Sequence, residues 1–157
     1  MKESFLKDLL RQIITKEDLI VLLEEINLTE NFIFKNIRTP LSEKLKGKTR
    51  EEFRGFVEKL EKENSLFRSP SEQFSFFQNL KKNLKKIPEL KLELAFEASR
   101  EFLIKIKQWF KEKNQREVIL DLSVNPEVVG GAIIEYQGKY LNLSVGKKID
   151  ELFSKEL

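Results

Sequence analysis

The sequence predicts an α+β protein, in which an all-helical bundle over residues 1–87 precedes a small βαββ(β)α domain over residues 88–157. Two features support this division. Apolar residues recur at helical spacing in the first part, whereas in the second part they alternate in short runs that are typical of strands. The charge balance changes at the same place, since residues 1–88 contain 18 basic and 14 acidic side chains and residues 89–157 contain 11 and 12.

Five amphipathic helices are predicted in the first part, because apolar residues recur there at spacings of three and four. Their apolar stripes cover residues 5–14, 19–26, 32–37, 53–60 and 74–87. Start signals precede four of these helices, since Ser and Thr side chains can accept hydrogen bonds from the first free backbone N–H groups. These signals are Thr15, Thr29, a capping box of Thr49 with Glu52, and the sequence Ser69-Pro70-Ser71-Glu72.

The second part is predicted to form a strand, a helix, a second strand, a hairpin and a final helix. Leu90, Leu92 and Leu94 alternate with other residues, which indicates a strand with one apolar face. The remaining elements are a helix over residues 99–113, a strand over 118–124, hairpin strands over 132–136 and 139–143, and a helix capped by Ser144. Gln137-Gly138 between the hairpin strands is a typical tight-turn sequence.

The composition excludes several kinds of chemistry. The chain contains neither cysteine nor histidine, which removes disulfides, thiolate metal sites, cysteine nucleophiles and imidazole acid–base catalysis. No apolar run approaches the roughly 20 residues that a transmembrane helix needs, and Met1–Lys16 lacks the apolar core of a signal peptide. We therefore expect a soluble, cytoplasmic protein that catalyses no reaction and needs no cofactor or metal.

Two basic clusters could contact nucleic acid, but a solvated surface is the favoured interpretation of both. They are Lys81–Lys86, which contains four lysines, and the loop with Lys44, Lys46, Lys48 and Arg50. Leu80, Leu84 and Ile87 at helical spacing favour an ordinary helix face for the first cluster. A helix-turn-helix over residues 16–38 would have a second helix poor in the side chains that contact base edges.

Two further features are also interpreted as structural. Asp121 could be a catalytic acid, but strand alternation places it on the polar face, away from Leu120 and Leu122. Gly130-Gly131 is not a phosphate-binding loop, because neither GxGxxG nor a following Lys-Ser/Thr is present and a strand comes next. The glycine pair instead predicts a positive φ or close backbone packing where the chain enters the sheet.

A turn, a glycine pair and a glycine-containing hairpin follow one another in the second part. The motif residues are Asn125, Pro126, Gly130, Gly131, Gly138 and Ser144. Together with the order of elements over residues 88–157, they resemble the C-terminal domain of the F-type ATP synthase delta subunit, whose mitochondrial relative is the oligomycin-sensitivity-conferring protein. That family usually has Asp where Asn125 and Asn142 stand here, and commonly a basic residue where Gly146 stands.

In the helical part, Leu45–Leu60 and Phe74–Ile87 resemble the late bundle helices of the same family. The resemblance implies a non-catalytic peripheral-stalk, or stator, subunit that links the stalk to the catalytic head of a rotary ATP synthase, so that proton-driven ATP synthesis can occur. It implies that the bundle binds the N-terminal helix of the alpha subunit and that the C-terminal domain binds the C-terminal helix of the b subunit. It also implies a position peripheral to the inner (plasma) membrane, through the complex, with no nucleic-acid partner.

Two alternatives stay open at this point. The E-type stalk subunit of archaeal- or vacuolar-type ATPases also has a glycine pair that opens a C-terminal strand, although it usually begins with one very long charged helix. A basic helical nucleic-acid-binding module would use the lysine clusters and would bind DNA or RNA in a salt-dependent manner. Co-purification with ATP synthase subunits would distinguish these alternatives from the delta-subunit interpretation.

Overall fold

The chain forms a mixed helix and sheet structure that divides into two compact units. The computed structural model describes residues 9–63, 69–128 and 130–143. The described residues of the helical unit are 9–12 and those within Glu17–Lys86, and those of the sheet unit are Ile13–Lys16 and those from Ile87 onward. The predicted α+β class is confirmed. The helix predicted after Ser144 lies outside the described residues.

Within the described residues, four helices form most of the helical unit. They are α1 (Lys16–Ile33), α2 (Leu41–Lys44), α3 (Glu51–Glu63) and α4 (Pro70–Leu84), and residues 9–12 are also helical. The core includes Ile26 of α1, Phe53 of α3 and Phe77 of α4, each at most 2% exposed. The ring centroids of Phe53 and Phe77 lie 6.4 Å apart, so aromatic packing joins α3 to α4.

The helix predicted to start at Thr29 is not a separate element, because α1 continues through this residue. Thr29 is fully buried, and its hydroxyl donates to the carbonyl oxygen of Glu25 at 2.7 Å. A threonine that bonds to the preceding turn in this way can remain inside a helix. α1 ends at Ile33, so most of the stripe predicted over residues 32–37 is a turn, in which Asn36 has a φ of 45°.

The two predicted capping boxes have different outcomes. Before α4, the Glu72 N–H donates to the Ser69 hydroxyl at 3.3 Å, and the Ser69 N–H donates to the Glu72 carboxylate at 2.8 Å, which confirms the box. Before α3 the prediction is wrong, since the buried Thr49 hydroxyl has no hydrogen-bond partner among the described residues. The carboxylate of Glu25 instead accepts the N–H of Arg50, directly before α3, at 2.7 Å.

A mixed four-stranded sheet and a helix form the described part of the sheet unit. Its elements are β1 (Glu89–Leu94), α5 (Arg100–Asn114), β2 (Ile119–Val124), β3 (Ala132–Tyr136) and β4 (Lys139–Asn142). The strand order is β2-β1-β3-β4. β1 and β2 are parallel and connected through α5, whereas β3 pairs antiparallel with β1 and with β4. The strands, the helix and the hairpin predicted between Pro88 and Ser144 are confirmed.

One face of the sheet is apolar and packs against α5. Leu90, Leu92 and Leu94 of β1 are at most 3% exposed, as their alternation predicted. Leu103 and Phe110 of α5 belong to the same buried cluster. The residues between the leucines in β1 are charged and lie on the opposite face, so this strand has one apolar and one polar side.

Residues Ile13–Lys16 belong to the sheet unit, so the helical stripe predicted over residues 5–14 is confirmed for residues 9–12 and is wrong for Ile13 and Ile14, while residues 5–8 lie outside the described residues. Ile14 packs into the core of the sheet unit, and its carbonyl oxygen accepts the N–H of Leu120 at 3.0 Å. The buried Lys107 donates from Nζ to the carbonyl oxygen of Ile13. The segment leaves the helical pattern because the edge of β2 offers it both a backbone hydrogen bond and burial of its isoleucines.

Candidate functional site

Asn125 and Pro126 begin the connection from β2 to β3. The Asn125 N–H donates to the carbonyl oxygen of Leu94 at 2.8 Å, and the Asn125 side-chain oxygen accepts the N–H of Glu127 at 3.0 Å. The side-chain amide of Asn125 also donates to the carboxylate of Glu93. An aspartate at this position would place a second negative charge beside Glu93, so the asparagine suits its neighbour.

The glycines of the motif adopt backbone conformations that other residues rarely adopt. Gly130 and Gly131 have φ values of 65° and 85° directly before β3, which confirms the positive φ predicted there. Gly138 has a φ of 75° and follows Gln137 at 50°, as a two-residue hairpin turn requires. Ser144 lies outside the described residues. These turns direct β3 into its place between β1 and β4.

Asp121 is held in an ion pair. Nζ of Lys16 lies 3.0 Å from the Glu89 carboxylate and 3.1 Å from that of Asp121. The hydrogen bonds to Glu89 and then to Asp121 raise the pKa of Lys16. Within residues 9–63, 69–128 and 130–143, no group of three or more acidic, histidine or cysteine side chains could hold a metal ion.

Several members of the two basic clusters have partners inside the helical unit. Nζ of Lys81 is 2.8 Å from the carboxylate of Glu30, and the guanidinium of Arg50 is 2.8 Å from that of Glu25. Nζ of Lys44 donates to two carbonyl oxygens in the last turn of α1, at 3.2 and 3.4 Å, and burial lowers the pKa of this ammonium group. These contacts stabilise helix ends, so the three side chains are not free to contact phosphates.

Exposed apolar side chains form a surface on each unit. In the sheet unit, Phe96, Phe102 and Trp109, here called the aromatic strip, are 55%, 41% and 46% exposed. The ring centroids of Phe96 and Phe102 lie 6.5 Å apart, and Trp109 lies two turns further along α5. In the helical unit, Phe34 and Ile37 in the turn after α1 are 56% and 67% exposed. Adjacent exposed apolar side chains of this kind commonly mark contacts with partners.

A groove of about 530 Å³ opens beside this turn of the helical unit. Its apolar lining includes Ile33, Ile37, Pro40 and Leu41. Glu61 also lines the groove, and its carboxylate accepts hydrogen bonds from the N–H groups of Leu41 and Ser42. The exposed turn was not predicted from the sequence, because Ile37 fits a helical stripe. The signal for the turn was the run Asn36-Ile37-Arg38-Thr39-Pro40, which contains turn-forming residues.

Both units expose apolar side chains, a feature that is typical of the class of interaction proteins. The family model of the ATP synthase delta (OSCP) subunit matches residues 3–155, and the chain belongs to this family. The predicted resemblance is confirmed, and the match also includes the helical part. The comparison with curated proteins gives no match.

Family membership makes this chain a peripheral-stalk, or stator, subunit of an ATP synthase. The family is a structural subunit of the complex and not a catalytic one. The match is to the delta subunit, not to the E-type stalk subunit that was the first alternative. In the part of the chain that the structure describes, no helix is both long enough and apolar enough to cross a bilayer.

Proposed function

We propose that this chain links the peripheral stalk to the catalytic head of a rotary F-type ATP synthase and thereby allows proton-driven ATP synthesis. Residues 1–87 bind the N-terminal helix of the alpha subunit, and residues 88–157 bind the C-terminal helix of the b subunit. The subunit acts on the cytoplasmic side, peripheral to the inner (plasma) membrane through the complex. The observation that supports this proposal is that each unit of a delta-family chain exposes an apolar surface.

The aromatic strip on α5 has the spacing that a partner helix needs. Phe102, Ile106 and Trp109 stand at positions i, i+4 and i+7, so they lie along one side of α5. Leu103 and Phe110 on the adjacent side are buried against the sheet, which holds α5 in place while the strip stays exposed. Aromatic side chains contribute much of the binding energy in protein contacts. We assign the strip to the helix of the b subunit.

The motif residues have a structural role in this proposal. Asn125, Pro126, Gly130, Gly131 and Gly138 shape the turns before and after β3, and Ser144 is proposed to cap a final helix. Because β3 lies beside β1, on whose apolar face α5 packs, correct turns maintain the surface that α5 presents.

Peptide titration into the full chain tests the proposed contacts. Trp109 is the one tryptophan of the sequence, so its fluorescence reports binding at the aromatic strip. We expect a peptide from the C-terminus of the b subunit to change this fluorescence, and Phe102→Ala to weaken its binding by about tenfold or more. Gln108→Ala, on another exposed side of α5, is the matched control and should leave binding unchanged.

Two results would contradict the proposal. One is that peptides from the alpha N-terminus and the b C-terminus both fail to bind at roughly 50 μM. The other is that Phe102→Ala and Gln108→Ala bind the b peptide equally well. Tight, salt-dependent DNA binding in the same buffer would favour the nucleic-acid-binding alternative instead.

A further inference from the structure

The turn after α1 combines exposed apolar side chains with positive charge. Phe34, Lys35, Ile37, Arg38 and the adjoining groove are here called the Ile37 surface. Ile37 is 67% exposed and also lines the groove, so its side chain lies partly in solvent at the edge of an apolar depression. The ring of Phe34 lies 5.9 Å from that of Phe74 in α4, which attaches the turn to the helical unit. Phe34 and Ile37 are thus two largely exposed apolar side chains three positions apart in the same turn.

Most cations of this region form no ion pair with a carboxylate of a described residue. Residues 32–50 contain six basic side chains and one acidic side chain. Lys35, Arg38, Lys46 and Lys48 form no ion pair with any described residue, whereas Arg50, Arg54, Lys62 and Lys81 each form at least one. Nζ of Lys35 and Nζ of Lys48 each lie 5.1 Å from the ring centroid of Phe32, which holds both charges close to the turn.

The acidic residues of the groove lining are already engaged. Glu61 accepts hydrogen bonds at the start of α2, and the Glu58 carboxylate lies 2.6 Å from Nζ of Lys62. Of the cations that line the groove, Lys62 pairs with Glu58 and Lys44 donates to two carbonyl oxygens of α1. The third, Arg38, forms no ion pair with any described residue. An occupant of the groove therefore meets apolar walls and an unpaired positive charge, and gains most if it brings an apolar side chain next to a carboxylate.

We propose that the Ile37 surface binds an acidic segment of another polypeptide in the ATP synthase complex, in which apolar side chains are flanked by carboxylates. This inference rests on the proposed function. It specifies where on the helical unit the partner binds and that the bound segment of the partner is acidic. An apolar side chain enters the groove and covers Ile37, while carboxylates pair with Lys35 and Arg38. A nucleic acid would satisfy the cations but has no aliphatic side chain to fill the groove, so a polypeptide is favoured.

Two double charge reversals in the full chain test this inference. Lys35→Glu/Arg38→Glu changes the Ile37 surface, and Lys85→Glu/Lys86→Glu makes the same change in net charge on two exposed lysines after α4. Each variant is titrated with the purified catalytic head of alpha, beta and gamma subunits, and circular dichroism verifies that it is folded. We expect the first variant to weaken binding by about tenfold or more, chiefly at low salt, and the control by less than about threefold.

A third variant tests the apolar part of the surface. Ile37→Asp removes the exposed aliphatic side chain and adds a negative charge where an acidic partner would approach, so we expect it to weaken binding at least as much as the double reversal. Because Ile37 is mostly exposed, this change leaves the core of the helical unit intact. Phe102→Ala in the aromatic strip should change binding to the head by less than about threefold.

The outcomes separate this inference from the proposed function. If the unmodified chain does not bind the head, the proposed function itself fails, and the inference fails with it. If the chain binds the head but the two double reversals have equal effects, the inference alone is wrong. The inference would also be wrong if the chain bound duplex DNA at physiological salt and Lys35→Glu/Arg38→Glu abolished this binding while head binding was unchanged. That result would assign the Ile37 surface to nucleic acid.

Discussion

Glu25 connects α1 to the start of α3, and its replacement by alanine should destabilise the helical unit by about 2–3 kcal/mol. The Glu25 side chain is 9% exposed, and its carboxylate accepts three hydrogen bonds from Arg50. The donors are the backbone N–H at 2.7 Å, Nε at 3.1 Å and Nη2 at 2.8 Å. The Glu25 carboxylate thus binds both the backbone N–H and the guanidinium of Arg50, which lies 25 positions away in the sequence, directly before α3.

The expected magnitude has two parts. Loss of the acceptor for the Arg50 N–H resembles the loss of a helix cap, which costs about 1 kcal/mol. The two guanidinium bonds contribute about 1–2 kcal/mol, because the Arg50 side chain is 49% exposed and water can replace the lost carboxylate.

Urea unfolding followed by far-UV circular dichroism measures this effect. With a urea dependence of about 2 kcal/mol per molar, the midpoint for Glu25→Ala should fall by roughly 1–1.5 M. Glu58→Ala is the matched control, since it removes only exposed ion pairs with Lys62 and Arg54 on the surface of α3, which contribute little to stability. Fluorescence of Trp109 follows the sheet unit in the same samples. A shift for Glu25→Ala no larger than that of the control would refute this account of Glu25.

Three further variants test a cap, a turn and a titrating side chain. Ser69→Ala should lower the stability of the helical unit by about 1 kcal/mol in urea unfolding, whereas Ser69→Asp should retain most of it. Gly138→Val should destabilise the sheet unit by about 1–2 kcal/mol, measured by Trp109 fluorescence, because φ is 75° while the space for a Cβ is open. Arg54 holds the pKa of Glu51 below its ordinary value, chiefly through a hydrogen bond. At pH values above the ordinary pKa, the ionised Glu51 stabilises the folded state, and this stabilisation is lost as the pH falls through the lower pKa of the folded protein. NMR titration should show that the pKa of Glu51 rises in Arg54→Ala.

The elements predicted correctly from the sequence depend on neighbouring residues. The capping box of Ser69 and Glu72 joins partners three positions apart, so the hydrogen bonds were visible in the pattern itself. Gln137-Gly138 determines a two-residue turn through its own backbone preferences. The alternating leucines of β1 indicated a strand with one buried face because the side-chain period of a strand is two. The motif in residues 88–157 likewise indicated the family whose model matches residues 3–155.

Other features were decided by residues that are distant in the sequence. Thr29 looked like a helix start, yet burial and a bond to Glu25 keep it inside α1. Ile14 fits a helical stripe, but its carbonyl oxygen pairs with Leu120, far along the chain. Local preferences differ by only about 0.5–1 kcal/mol, whereas burying an isoleucine or satisfying a buried backbone group contributes about 1–3 kcal/mol. The sequence therefore determined the individual elements and the family, and tertiary contacts decided where the helices begin and end and which apolar side chains remain exposed.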